Sequence, residues 1–90
     1  MGQIEFPLVP NWQPLEMVVT GEKTRAAFMF IGTFVAPDMR IELYKHGLSR
    51  RYLNVDSAGN CYAYTGAKDG DEYTVISRAA ALTAIGVEAN

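Results

Sequence analysis

The chain has 90 residues, 49% of them hydrophobic and 20% charged, which is enough apolar content for one folded domain and too much for a disordered one. The net charge is −2 and Lys and Arg are scattered, so there is no basic run to track a nucleic-acid backbone. A single cysteine, Cys61, excludes an internal disulfide and a multi-cysteine metal site, and the longest apolar stretch, Ala26 to Ile31, is far too short to cross a membrane.

The segment Gln3 to Pro14 is unlike the rest. Pro7, Pro10 and Pro14 block helix and withhold ladder hydrogen bonds, which predicts an extended arm over residues 1–14 preceding a β-domain over residues 15–90. The arm also carries Ile4, Phe6, Leu8, Val9 and Trp12. Burying such side chains is worth roughly 1.5–3 kcal/mol each, so the arm is expected to dock, either along its own domain or into a neighbouring subunit. Leu15 to Thr20 reads as a strand, followed by a turn at Gly21 to Thr24. Arg25 to Val35 is the most apolar run. Simple alternation puts Phe28, Phe30, Gly32 and Phe34 on one face and Met29, Ile31 and Val35 on the other, so both faces call for cover; Gly32 allows a bulge or a close contact.

Ala36-Pro37-Asp38 then turns the chain into a stretch of short strands. Arg40 to Lys45 alternates, with Ile41 and Leu43 on one face and Arg40 and Glu42 on the other. His46-Gly47 breaks it, and Arg50 to Val55 resumes. Asp56-Ser57-Ala58-Gly59-Asn60 is a turn, Cys61 to Thr65 a strand, Gly66 to Gly70 a loop, and Glu72 to Ser77 a strand rich in β-formers. In Cys61 to Thr65, either the pair Tyr62 and Tyr64 or the pair Cys61 and Ala63 faces inward. Arg78 to Val87 is ambiguous: Ala and Leu favour helix, while Thr83, Ile85 and Val87 alternate as a strand would. Short strands at this spacing predict an all-β fold, an antiparallel β-sandwich of about six or seven strands.

Ile41, Leu43, Tyr44, Asp56, Gly59, Tyr62, Tyr64, Gly70, Tyr73, Thr74 and Val75 give the chain a pattern that resembles the carboxypeptidase regulatory-like, or transthyretin-like, β-sandwich module. The likeness covers roughly Phe28 to Ser77. It departs in one place: Tyr62 and Tyr64 stand three and five residues after Gly59, where the family has its aromatics two and four after the turn glycine. The resemblance implies a closing strand after Ser77 and an accessory module without catalysis of its own.

Candidate chemistry is sparse. His46 is the only histidine, and it is expected in an exposed turn, far from Cys61. Asp69, Asp71 and Glu72 form an acidic cluster without the ligand alternation of a calcium loop. Arg50 and Arg51 point to opposite faces of a strand, which halves any phosphate-binding patch. The expectation is therefore a non-enzymatic structural protein with no catalytic, metal or cofactor residues. Its implied setting is a small virion component of a tailed bacteriophage, made in the bacterial cytoplasm. Its partners are expected to be other protein subunits in a homo-oligomer, with no nucleic acid or membrane. The expected docking residues are Ile4, Phe6, Leu8, Val9, Trp12, Met29 and Ile31. Two alternatives stand beside this: a phage-encoded inhibitor of a host or defence protein, and a carbohydrate-binding module using Trp12, Tyr44, Tyr52, Tyr62 and Tyr64.

Overall fold

Among the described residues, six strands follow one another as antiparallel neighbours: β1 (Gln3–Glu5), β2 (Phe28–Ala36), β3 (Met39–His46), β4 (Tyr52–Asp56), β5 (Cys61–Tyr64) and β6 (Tyr73–Ile76). Three short helices accompany them among the described residues: α1 (Gln13–Val18), α2 (Glu22–Arg25) and α3 (Arg78–Ala84). The computed structural model describes residues 2–66 and 73–87. The expected antiparallel all-β architecture is present as one sheet. That sheet curls far enough for Phe34 on β2 to meet Tyr73 on β6 at 4.6 Å between ring centroids, which gives it sandwich-like layering.

Strand alternation sends side chains to two faces, and the helices cover one of them. On the covered face Phe28, Tyr44, Leu53, Val55 and Cys61 pack against Leu15 and Val18 of α1 and Ala81 and Leu82 of α3. Phe34, Ile41, Leu43 and Tyr62 gather on the opposite face. Cys61 and Tyr62 are thus both buried, on opposite sides of β5.

Four expectations change. The register slips between Phe30 and Gly32, so the phenylalanines do not share a face: Phe30 lies opposite Tyr44 on the covered side, and Phe34 lies opposite Ile41 on the other. Leu15 to Thr20 is not a strand. Pro14 is tolerated in a first helical turn, and helical spacing buries Leu15 and Val18 together. Arg78 onward is also helix, where the resemblance implied a strand. Ser77 Oγ accepts from the Ala80 N–H at 3.0 Å. At the far end Gly86, at φ +81°, closes the helix with Val87 N–H donating to Leu82 O (2.9 Å) and Gly86 N–H to Thr83 O (3.1 Å). Finally, Glu42 does not face solvent. It is 3% exposed, because Thr33 Oγ1 donates to it at 2.6 Å and Arg40 Nε pairs with it at 3.3 Å.

Arginines tie the helical layer down. Arg25 Nη1 donates to Val19 O (2.9 Å) and Thr20 O (2.8 Å), and Arg78 Nε donates to Val18 O (2.8 Å). Two guanidinium groups therefore satisfy carbonyls at the negative end of α1. Arg51 Nη1 does the same for Ala84 O at 3.0 Å, so this arginine holds the end of α3.

Candidate functional site

The arm is neither wholly extended nor free. Gln3, Ile4 and Glu5 pair with Val35, Phe34 and Thr33, which makes β1 an end strand of the sheet docked on its own domain. Gly32 permits this closeness, because a Cβ there would stand 2.9 Å from the Glu5 carbonyl oxygen. The chain then crosses to the helical face, where the Tyr44 hydroxyl donates to Asn11 O at 2.6 Å. Trp12 stacks on Tyr44 with centroids 5.8 Å apart and meets Phe30 edge-on at 6.2 Å. Burial, helped by the Glu42 and Glu16 carboxylates, pushes the Tyr44 phenol well above its ordinary range.

Between these two anchors the segment Phe6 to Pro10 forms an apolar knuckle. Phe6 is 74% exposed, Val9 80%, and Leu8 stands entirely in solvent. Pro7 and Pro10 restrict its backbone and give up two N–H donors, so it cannot join a ladder along its length.

Beside the knuckle, the face without helices opens into a cup of about 320 Å³. Every strand contributes to it: Ile4 from β1, Ile31 from β2, Leu43 from β3, Tyr52 and Asn54 from β4, Tyr64 from β5 and Tyr73 from β6. Tyr64 remains 63% exposed while meeting Tyr73 edge-on at 5.3 Å. Lys45 Nζ lies 5.5 Å from the Tyr52 ring centroid. The Asn54 amide is anchored by donating to Tyr62 O at 3.2 Å.

The expected docking residues divide among three places. Ile4 and Ile31 line the cup, and Met29, half-exposed, lies opposite Lys45. Phe6, Leu8 and Val9 form the knuckle. Trp12 belongs to the helical side, as does Tyr44, so these two rings are separated from Tyr52, Tyr62 and Tyr64. The expected docking set does not include Tyr52, Tyr64 and Tyr73. Their alternation within strands is visible in the sequence; their convergence requires the curl of the whole sheet.

The remaining polar candidates have structural partners. His46 is buried rather than exposed: its Nδ1 accepts from the Ser49 N–H at 3.2 Å and lies 2.9 Å from Ser49 Oγ, and its ring is 5.0 Å from that of Phe28. Cys61 is buried at the far side of the core, and desolvation pushes its thiol up. Asp56 organises the β4–β5 turn. Its Oδ1 accepts from the Ala58 and Asn60 N–H groups at 2.9 Å each, and its Oδ2 from Tyr62 Oη at 2.7 Å and Asn60 Nδ2 at 3.0 Å. Desolvation works to raise this carboxyl, but these four donors outweigh it and hold it below its ordinary range. Desolvation and the Asp56 carboxylate together push Tyr62 up to about 12.

The acidic cluster of Asp69, Asp71 and Glu72 lies outside the described residues. Among the described residues no group of three His, Cys, Asp or Glu side chains is placed to hold a metal ion, and no helix is long and apolar enough to cross a membrane. Comparison with protein-family models, curated proteins and solved structures gives no match.

Proposed function

We propose that this chain is a non-enzymatic assembly module that docks protein subunits through the Phe6–Pro10 knuckle. One observation carries the reading: Phe6, Leu8 and Val9 are held out in solvent by a loop fixed at both ends, at β1 and at Asn11. A free tail could tuck its apolar side chains against its own domain, and this loop does not. Large exposed apolar side chains held together in this way mark protein contact surfaces. The setting we infer is the one the sequence resemblance implies, a small structural component of a tailed-phage particle. Size exclusion with light scattering tests the reading. The wild type is expected to associate as its concentration rises, and a Phe6→Ser/Leu8→Ser/Val9→Ser variant to run as one chain with an unchanged urea midpoint. A wild type and variant that both run as single chains would overturn it.

A second reading rests on the cup. The half-exposed rings of Tyr52 and Tyr64 beside the Asn54 amide offer stacking surfaces for a sugar ring. Binding on a glycan array that Tyr64→Ala abolishes would support it, and an array without hits would dispose of it.

A further inference from the structure

We infer that the cup is a binding site for a small, neutral, planar ring that carries an amide-type edge, an N–H donor beside a carbonyl. The inference goes beyond the assembly reading, since Phe6, Leu8 and Val9 take no part in it, and it gives the cup a different occupant from a sugar. Asn54 carries it. This residue is 5% exposed and is the one buried polar side chain in the cup's lining. A carboxamide has two N–H donors and an oxygen with two lone pairs. One donor goes to Tyr62 O at 3.2 Å. Among the described residues nothing donates to the Asn54 oxygen, yet no side-chain nitrogen or oxygen is sealed in the core without a partner. That oxygen therefore reaches the molecular surface. Asn54 pairs with Leu43 on one side and Tyr62 on the other, so its side chain shares their open face, where the cup lies.

The walls define what kind of molecule would use that oxygen. Tyr52 stands two residues before Asn54 on β4, and Tyr64 two residues after its partner Tyr62 on β5, so both rings share the amide's face. Tyr73 continues the row on β6, paired with Tyr64. Tyr52 and Tyr64 are each more than half exposed, which leaves ring surface open to stacking. Among the described residues no charged side chain lines the cup, so an ion entering it would lose hydration without meeting a counter-charge. About 320 Å³ is at the small end of ligand pockets and suits one ring or two fused rings. Flatness, neutrality and size thus follow from the walls. The amide edge follows from Asn54, whose oxygen accepts from an N–H and whose second N–H donates to a carbonyl.

A sugar suits these walls less well. Its hydroxyls surround the ring, and each one left unpartnered inside the cup weakens binding, while the lining holds a single buried amide. A lactam ring keeps its polar atoms on one edge. Turned with that edge to Asn54, it presents its apolar edge and faces to Ile31, Leu43 and the tyrosine rings.

The test uses the full chain and two probes. One is 2-pyridone, a plain lactam ring; the other is N-methyl-2-pyridone, which keeps the ring and the carbonyl but has no N–H for Asn54. An NMR titration follows the Asn54 side-chain amide and the Tyr52 and Tyr64 ring signals. The lactam is expected to shift them saturably, with a Kd on the order of 1 mM for so few atoms. The methylated ring should bind at least about fivefold more weakly. Asn54→Leu should erase that preference, leaving both probes equally weak, which a simple steric effect of the methyl group would not do. Tyr64→Ala, at an exposed position, should weaken both probes alike, and it keeps the test decisive if circular dichroism shows Asn54→Leu to be unfolded. Absence of saturable shifts with 2-pyridone, equal affinity for the two probes, or a preference that survives Asn54→Leu would each overturn the inference. So would glucose or galactose shifting the same signals more strongly than the lactam, which would give the cup to sugars. None of these outcomes bears on the assembly reading, which light scattering of the knuckle variant decides separately.

Discussion

Leu43 and Tyr44 are neighbours on β3 and point to opposite faces of the sheet. Tyr44 lies under α1, fully buried, with its hydroxyl donated to Asn11 O and its ring stacked on Trp12. Leu43 lies in the cup, among exposed tyrosine rings. The difference comes from the helical segments that flank the strands, since α1 and α3 both settle on one face. On that face apolar surface is consumed by the chain itself. On the other, the sheet's curl brings Phe34 and Tyr73 together but leaves a hollow between them and the rim. The covered face thus holds the larger buried cluster, while the open face buries Phe34, Ile41, Leu43 and Tyr62 and leaves much of Tyr52 and Tyr64 in water, a division that substitution can test.

The largest expected effect is on the covered side. Leu82→Ala removes a side chain that is almost wholly buried between α3 and the sheet, and large-to-small changes at such sites cost about 2–5 kcal/mol. Tyr64→Ala on the open face should shift the urea midpoint far less, since most of that ring is already in water. Equal losses of stability from the two would break the contrast between the faces.

Gly32 sits where the two regions meet. A Cβ there would stand 2.9 Å from Glu5 O, 3.2 Å from Ile4 Cγ2 and 3.3 Å from Phe6 Cδ1, and a backbone carbonyl yields only if the strand moves. Gly32→Val is expected to lift β1 from β2 at a cost of about 1–3 kcal/mol, read as lost amide protection at Ile4 and Glu5. Association should fall with it, because the knuckle loses one anchor. Unchanged protection of β1 would show that the close approach is not what seats it.

The Asp56 turn sharpens the comparison through pH. Its carboxyl titrates below the ordinary value of 3.8 in the fold, so its contribution is present above that value and is lost as pH falls through the folded one. Tyr62, pushed up to about 12, contributes fully below its ordinary value of 10.0 and loses that contribution as pH rises through about 12. The urea midpoint should fall on acidification below about pH 4, and Asp56→Ala, which lacks the titrating acceptor, should flatten that fall. A parallel slope in the variant would assign the acid lability elsewhere.

Much of the strand framework is legible in the sequence because period-2 alternation is a local signal. Ile41 and Leu43, and the run of turn-formers from Asp56 to Asn60, state their structure without help from distant residues. The helices are less legible. None of the three is longer than seven residues, too short to show much periodicity, and Thr83, Ile85 and Val87 alternate by coincidence with a strand pattern. The bulge at Ile31 reverses the face of Phe34; Gly32 beside it marks where a bulge is allowed but does not say whether one forms. The knuckle is half visible, as apolar residues among prolines. The cup is not, because its lining comes from six strands and exists only once the sheet has curled.

The smallest effect concerns the turn that keeps the two faces distinct. Between β3 and β4, Arg50 adopts φ 65°, the left-handed region that suits glycine. The turn is held by His46 N–H donating to Arg51 O and Arg50 N–H donating to His46 O, each at 2.8 Å. It fixes the pairing of Tyr44 with Leu53, and a slip of one residue would send β4's buried side chains to the open face. Arg50→Gly relieves a left-handed strain of roughly 1 kcal/mol but gives back about 0.5–1 kcal/mol in chain entropy, so the midpoint should barely move. Arg50→Val, whose branched side chain is poorly tolerated there, should lose about 1 kcal/mol. A valine variant as stable as the glycine one would mean that the turn follows the register rather than setting it.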